Sequence, residues 1–241
     1  LLSYVFGTDC VPVLLVSSDF PLEDARANGM ANFMRAVEFI KCREGRGVFV
    51  SYRNDRNEEA DIYRGTRLLM HQPYSARLYP LDGVSFHGKV CYNREASMDR
   101  MERPDGQELR LTEDAGNILW IRPCVGMTYP QAGPQVRAVL HDSYHSGTIA
   151  VNAGLEEFAG RMEQAGIPVY LTGASSGEAE YETVRMYEQY GIRVLPKMSL
   201  IAAYCKLWLA LSNDLDVNSI MNTCIAEDII QVGNCETLKF L

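Results

Sequence analysis

Ser17, Ser18 and Asp19 follow directly on the apolar run Val13–Val16, and here the sequence concentrates polar groups against a strand end. The run is too continuous to alternate and too short for a helix, the pattern of a parallel strand covered on both faces. Open α/β sheets bind ligands in the crevice outside the carboxyl ends of their strands. A binding crevice at Ser18 and Asp19 is therefore expected. A second group, Tyr144, His145, Ser146 and Thr148, shares one small-residue loop. Adjacency along the chain does not make a triad, because triad members meet in space. The histidines at 71, 87, 141 and 145 lack metal-ligand spacing, and no metal is expected. Residues 173–177, GASSG, have neither a P-loop's Gly-Lys-Thr nor a dinucleotide fingerprint's spacing, and read as a tight strand-to-helix turn.

Elements must hold these groups in place. Pro21, Asn28 and Gly29 break the chain before a helix whose expected apolar face is Met30, Phe33, Met34, Val37 and Ile40. Gly47–Tyr52 reads as a second short strand, followed by a charged surface loop from Arg53 to Glu59. Val84–Asn93 has strand character and suits an antiparallel addition to the first sheet. Residues 94–116 lose apolar periodicity and read as a linker between an N-terminal domain over 1–93 and a C-terminal domain over 117–241. Beyond it the pattern gives strands at Ile118–Ile121, Asp142–His145, Val169–Thr172 and Arg193–Leu195. Helices are expected at Gln135–Leu140, Leu155–Gln164, Glu182–Gln189 and Leu200–Leu211. Such alternation predicts an α/β fold in two domains: an incomplete parallel or mixed sheet flanked by helices, then a smaller Rossmann-like parallel sheet.

Composition narrows the function class. The 241 residues are 47% hydrophobic and 22% charged, enough for one large core or two smaller ones. A net charge of -8, with basic residues scattered among acids, argues against a nucleic-acid partner. No apolar run approaches the roughly eighteen residues of a membrane span. A secretory signal would need a basic segment and a small-residue cleavage site, and neither is seen. Seven cysteines without a CxxC pair fit reduced, packed thiols and a cytoplasmic setting, and are compatible with a periplasmic one. Leu1 is not an initiator methionine, and Leu1–Phe6 reads as the tail of a helix, so the chain is expected to be a fragment.

Several stretches together carry a resemblance. Residues 11–33, VPVLLVSSDFPLEDARANGMANF, resemble the KPVVLTGSQxPLxxxRSDGxxNL segment of bacterial L-asparaginases, which are threonine-dependent amidohydrolases. Residues 60–67, ADIYRGTR, are similar to the IYRGNR segment of the type I enzymes, and Tyr79-Pro80-Leu81 falls where these have SPNxPPL. Tyr144–Thr148, Ile167–Thr172, the turn 173–177 with Tyr181, Gly191, and Ala202–Leu211 follow the family's C-terminal pattern in order. The resemblance implies hydrolysis of the L-asparagine side-chain amide to aspartate and ammonia through an acyl-threonine, with no cofactor. Ser18 and Asp19 would bind substrate. A homodimer or homotetramer is also implied, in which the loop of Tyr144, His145, Ser146 and Thr148 completes a neighbour's pocket.

The sequence departs from that pattern where the chemistry lies. The leading TGGTI strand with its nucleophilic threonine, and the HGTDT motif, have no match, and are expected upstream of Leu1. Gly7-Thr8-Asp9 lies too close to Val11 to be the second motif and reads as a loop. Met70 occupies the position of the family's catalytic lysine. A thioether cannot help a hydroxyl lose its proton, and Met70 reads first as a gap-filling core residue. A catalytically silent homologue that binds a small amino acid or a protein partner is the alternative.

Overall fold

The computed structural model describes residues 1–43, 45–54, 59–81, 97–112, 117–174 and 182–230. The chain divides into two compact units, Leu1–Thr112 with Ser199–Asp228, and Glu113–Met198 with Ile229–Leu241, within those described residues. The expected strand over Val84–Asn93 lies outside the described residues.

In the first unit, β1 (Val13–Val16), β2 (Val48–Tyr52) and β3 (Asp61–Arg64) form a mixed sheet in the order β1-β2-β3, following a short helix α1 (Leu2–Phe6). β1 runs parallel to β2, with Val13 opposite Val48 and Val16 opposite Ser51, and β2 runs antiparallel to β3. The crossover is α2 (Gly29–Cys42), which ends at Arg43 in the left-handed region. Phe39 of α2 meets Phe49 of β2 edge-on at 4.9 Å between ring centroids, with Ile62 and Leu14 closing this core.

Two features of this unit differ from the sequence reading. β1 pairs with β2 alone among the described residues and is not covered on both faces, Leu15 and Val16 being 42% and 39% exposed. α2 turns Gly29, Asn32, Ala36 and Phe39 inward and leaves Met30, Phe33, Met34 and Ile40 exposed. Small residues let the helix backbone approach the strands closely, and Asn32 is drawn inward by hydrogen bonds at the strand ends.

A second core in this unit joins distant parts of the chain. Strand β4 (Ser97–Met98) pairs in parallel with β9 (Cys224–Ile225), and Tyr4, Met101, Leu209, Ile225 and Ala226 pack together. Leu209 lies on α5 (Leu200–Ser212), and α6 (Val217–Asn222) follows, its first amides bonded to the Asp216 side chain. Lys206 and Asp228 are both completely buried and pair at 2.8 Å, while the Tyr4 hydroxyl donates to Asp228 Oδ2 at 2.9 Å.

The second unit is a parallel sheet in strict chain order, β5 (Ile118–Ile121), β6 (Ala138–His141), β7 (Val169–Leu171) and β8 (Ile192–Val194). α3 (Ala153–Gln164) links β6 to β7, and α4 (Glu182–Gln189) links β7 to β8. The Asn152 side chain caps α3 by accepting from the Leu155 amide at 3.0 Å, and Gly166, at φ 67°, turns the chain after it. Leu155, Phe158, Ala159 and Met162 are the buried face of α3, and the core includes Val139, Leu171 and Tyr187. The expected helix over Gln135–Leu140 is instead the approach to β6 and most of that strand. Ala138–His141 is buried throughout between two neighbours, where a continuous apolar run satisfies a central parallel strand. Asp142–His145, expected as strand, is the loop that leaves it.

Candidate functional site

At the carboxyl ends of β1 and β2, two asparagines from the start of α2 hold the chain. Asn32 is fully buried. Its Nδ2 donates to the Ser17 carbonyl at 2.8 Å, its Oδ1 accepts from the Arg53 amide at 2.7 Å, and its own carbonyl accepts from Ser51 Oγ at 2.7 Å. Asn28, also buried, accepts the Asp19 amide on Oδ1 at 2.9 Å. Its Nδ2 donates to Asp19 Oδ2 and to the Arg53 carbonyl, both at 3.0 Å. The turn from Ser17 to Asp19 is thus fixed on the backbone of both strands.

Ser18 and Asp19 are exposed within that frame. Ser18 Oγ donates to the Phe20 carbonyl at 2.7 Å and accepts from the Gly29 amide at 3.2 Å, satisfying one of the unpaired amides that open α2. With its proton engaged by a carbonyl, the hydroxyl is arranged to position rather than to attack. Asp19 accepts from the Tyr52 hydroxyl on Oδ1, and that hydroxyl also lies 2.8 Å from the Ala76 carbonyl. Burial, reinforced by Asp19, pushes the Tyr52 hydroxyl up to about 12, so it stays a donor. The result is a solvent-facing carboxylate clamped by two neutral side chains at the start of a helix, where the helix dipole favours negative charge. Each Asp19 oxygen keeps accepting capacity for a ligand donor.

Met70 is half-buried, just beyond the single helical turn Gly65–Arg67. Its surroundings are tied down on both sides: the Leu69 amide donates to the Tyr79 carbonyl at 2.8 Å, and the Leu81 amide to the Arg67 carbonyl at 2.8 Å. The preceding residues grip the 226–227 turn, Thr66 through the Ala226 carbonyl and Arg67 through the Glu227 carbonyl, each at 3.0 Å. Arg64 pairs with Glu227 at 2.6 Å and lies over the Phe49 ring. Thr8 donates to Asp99 at 2.7 Å on the surface.

In the second unit, Tyr144, His145, Ser146 and Thr148 form a tight turn. The Tyr144 amide donates to the Thr148 carbonyl at 2.9 Å, and Ser146 Oγ lies 2.8 Å from Thr148 Oγ1. Gly147 sits at φ 75°, and a side chain there would meet the Gly173 carbonyl at 2.7 Å. The histidine with built partners is His141, at the end of β6. Its Nδ1 lies 2.5 Å from the Asp142 carbonyl and its Nε2 3.1 Å from the Tyr129 hydroxyl. A carbonyl can only accept, so Nδ1 carries the proton and Nε2 accepts from Tyr129. Burial lowers the His141 pKa, and burial pushes the Tyr129 hydroxyl up to about 12.

The structure brings Ser18 and Asp19 into one cluster and gathers Tyr144 to Thr148 into one turn of the other unit. The sequence reading missed Asn28 and Tyr52, which hold Asp19, and Asn32, which holds the Ser17 carbonyl and the Arg53 amide. The sequence offered no signal for Asn32, because the expected inward face of the helix was Met30, Phe33, Met34, Val37 and Ile40. Among the described residues, no group of three or more His, Cys, Asp or Glu side chains could hold a metal ion. Nor is any described helix long and apolar enough to cross a membrane.

No protein-family model matches the sequence, and no curated protein matches it. Solved structures do match in fold. L-asparaginase I from Vibrio cholerae superposes with a TM-score of 0.63 at 20% identity, covering 95% of this chain and 71% of that one. The thermostable L-asparaginase from Thermococcus kodakarensis superposes with a TM-score of 0.66 at the same identity and the same coverage of both chains. The chain therefore has the fold of these two structures.

Proposed function

We propose that this chain, which has the fold of two L-asparaginases, is the larger part of an asparaginase-like amidohydrolase. In the complete protein it would hydrolyse L-asparagine to L-aspartate and ammonia. The observation that carries the reading is the Ser18–Asp19 turn, clamped by Asn28, Asn32 and Tyr52 at the carboxyl end of a parallel strand. This is where such sheets bind ligands, and the same stretch carries the sequence resemblance. An exposed carboxylate with fixed geometry suits the ammonium or amide N–H groups of a small amino acid, and Ser18 supplies a second polar contact. The acyl-accepting threonine and its activating groups belong, on this reading, to sequence upstream of Leu1. The loop of Tyr144, His145, Ser146 and Thr148 would complete a neighbouring subunit's pocket, in a soluble, cytoplasmic homo-oligomer.

Met70 favours the second reading, a silent homologue that binds a small amino acid. One experiment separates the two. The 241-residue chain releases no ammonia from L-asparagine above a heat-killed control, whereas a longer protein carrying the family's threonines does. In that longer protein Met70→Lys raises turnover, because one preorganised cationic donor is typically worth about 10²–10³ in rate. A longer protein that binds L-asparagine yet stays inactive with and without the lysine would overturn the enzyme reading in favour of the binding one.

A further inference from the structure

Tyr52 has one hydroxyl proton and two acceptors for it. Its oxygen is hydrogen-bonded to Asp19 Oδ1 and lies 2.8 Å from the Ala76 carbonyl, and neither a carboxylate nor a carbonyl can donate. The two acceptors therefore compete. A hydrogen bond to an ionised partner is roughly twice as strong as a neutral one, so Asp19 holds the larger share of the proton. The ring is buried in β2, which fixes the hydroxyl between its partners.

The Ala76 carbonyl belongs to a loop that follows directly on Met70. His71, Gln72, Pro73, Tyr74, Ala76 and Arg77 are all exposed. Tyr74 stands at φ 61°, a left-handed conformation that a bulky residue seldom adopts unless its surroundings hold it. Within the loop the Ser75 amide donates to the Gln72 carbonyl at 3.2 Å. At its end the Asn54 side chain accepts from the Leu78 amide at 2.7 Å and donates to the Leu78 carbonyl at 3.0 Å. Between these bonds, Tyr52 ties Ala76 to β2, and the strength of that tie depends on how much of the proton Asp19 leaves to it.

We propose that Tyr52 is a positioning residue that couples Asp19 to loop 71–77. A ligand donor that settles on the carboxylate weakens its pull, the tyrosine proton passes to the Ala76 carbonyl, and the loop is fastened. The ligand half rests on Asp19 as the ligand contact of the proposed function, and the coupling half does not. The sign is diagnostic. Were Asp19 only a prop for the Tyr52 ring, neutralising it would loosen the loop, whereas competition for one proton makes the same change tighten it.

Hydrogen exchange of the Ser75, Arg77 and Leu78 amides, followed by NMR on the 241-residue chain, reads the loop. Asp19→Asn keeps the side-chain shape and lets its amide donate to the Tyr52 oxygen, which frees the tyrosine proton for Ala76. Exchange is expected to slow about threefold in Asp19→Asn and to quicken about threefold in Tyr52→Phe, the worth of one ordinary hydrogen bond. In the Tyr52→Phe background Asp19→Asn adds nothing. The amides of α3, in the other unit, keep their rates in every variant, and those of β2 stay protected, which shows that each is folded. Saturating L-asparagine slows loop exchange in the wild type and in neither variant. Exchange that is unchanged or faster in Asp19→Asn overturns the coupling, as does an equal effect of Asp19→Asn with and without the tyrosine hydroxyl. Variants that behave as expected beside a wild type indifferent to L-asparagine overturn the ligand half alone, and with it Asp19 as the ligand contact.

Discussion

Replacing Asp228 by alanine tests what holds the first unit together. Asp228 and Lys206 are completely buried, 2.8 Å apart. The carboxylate also accepts from the Tyr4 hydroxyl at 2.9 Å and from the Ile225 amide at 2.9 Å. Without it the ammonium keeps only the Thr223 carbonyl. Burial already lowers the Lys206 pKa, with Asp228 opposing that shift, so removing the carboxylate leaves the desolvation penalty unanswered. Breaking such a pair costs about 3–5 kcal/mol, whereas replacing both partners by apolar groups is often close to neutral. Asp228→Ala and Lys206→Met should each destabilise by that amount, lowering the melting temperature by roughly 10 °C for a chain of this size. Lys206→Met combined with Asp228→Ala should cost clearly less than the two single changes added together. Urea titration of the four proteins, followed by circular dichroism, gives the cycle. Single costs below about 1 kcal/mol that simply add would show that the network contributes nothing as a unit, and the reasoning would fail.

Two other expectations concern the strand ends. Asn32→Ala removes partners from the Ser17 carbonyl and the Arg53 amide at once and should cost about 2–3 kcal/mol, read as a lower urea midpoint. An unchanged midpoint would mean that water replaces the amide without loss. In the second unit, His141 has a pKa lowered by burial, so below about pH 6.5 the unfolded chain takes up a proton that the folded chain refuses. The stabilisation is complete above that pH and is lost as pH falls through the lowered folded value. The urea midpoint of the wild type should drop between neutral pH and about pH 5, and His141→Gln should flatten the drop; an equal slope in both proteins would place the titration elsewhere.

Much of this architecture was legible because apolar runs are bounded by breakers. Val13–Val16 before Ser17, Val48–Tyr52 after Gly47, and Val169–Leu171 after Pro168 announce strands without knowledge of their neighbours. The inward face of α2 was not legible, because its two seams are offset by one residue and hydrophobicity alone favours the larger side chains. Backbone approach and the two hydrogen bonds of the Asn32 side chain decide it, and both depend on strands that must already be in place. β6 was misread for a related reason: Gln135–Leu140 is too short for periodicity to separate a helix from a fully buried strand. The clamp on Asp19 draws on Asn28, Tyr52 and the Ala76 carbonyl, contributions spread over many residues of chain and readable only in space.

The bond from Tyr4 to Asp228 spans 224 residues. During synthesis the helix containing Tyr4 leaves the ribosome well before Asp228, which emerges only after β5 to β8 have been made. At about 5–20 residues per second that interval is roughly 10–45 s. The four-stranded sheet, whose strands and helices are contiguous in sequence, can close in the meantime, while the first unit waits with the core of Tyr4, Met101 and Leu209 unfilled. Tyr4 and its neighbours in that core spend the interval unassembled, and they are residues a nascent-chain chaperone would be called on to shield.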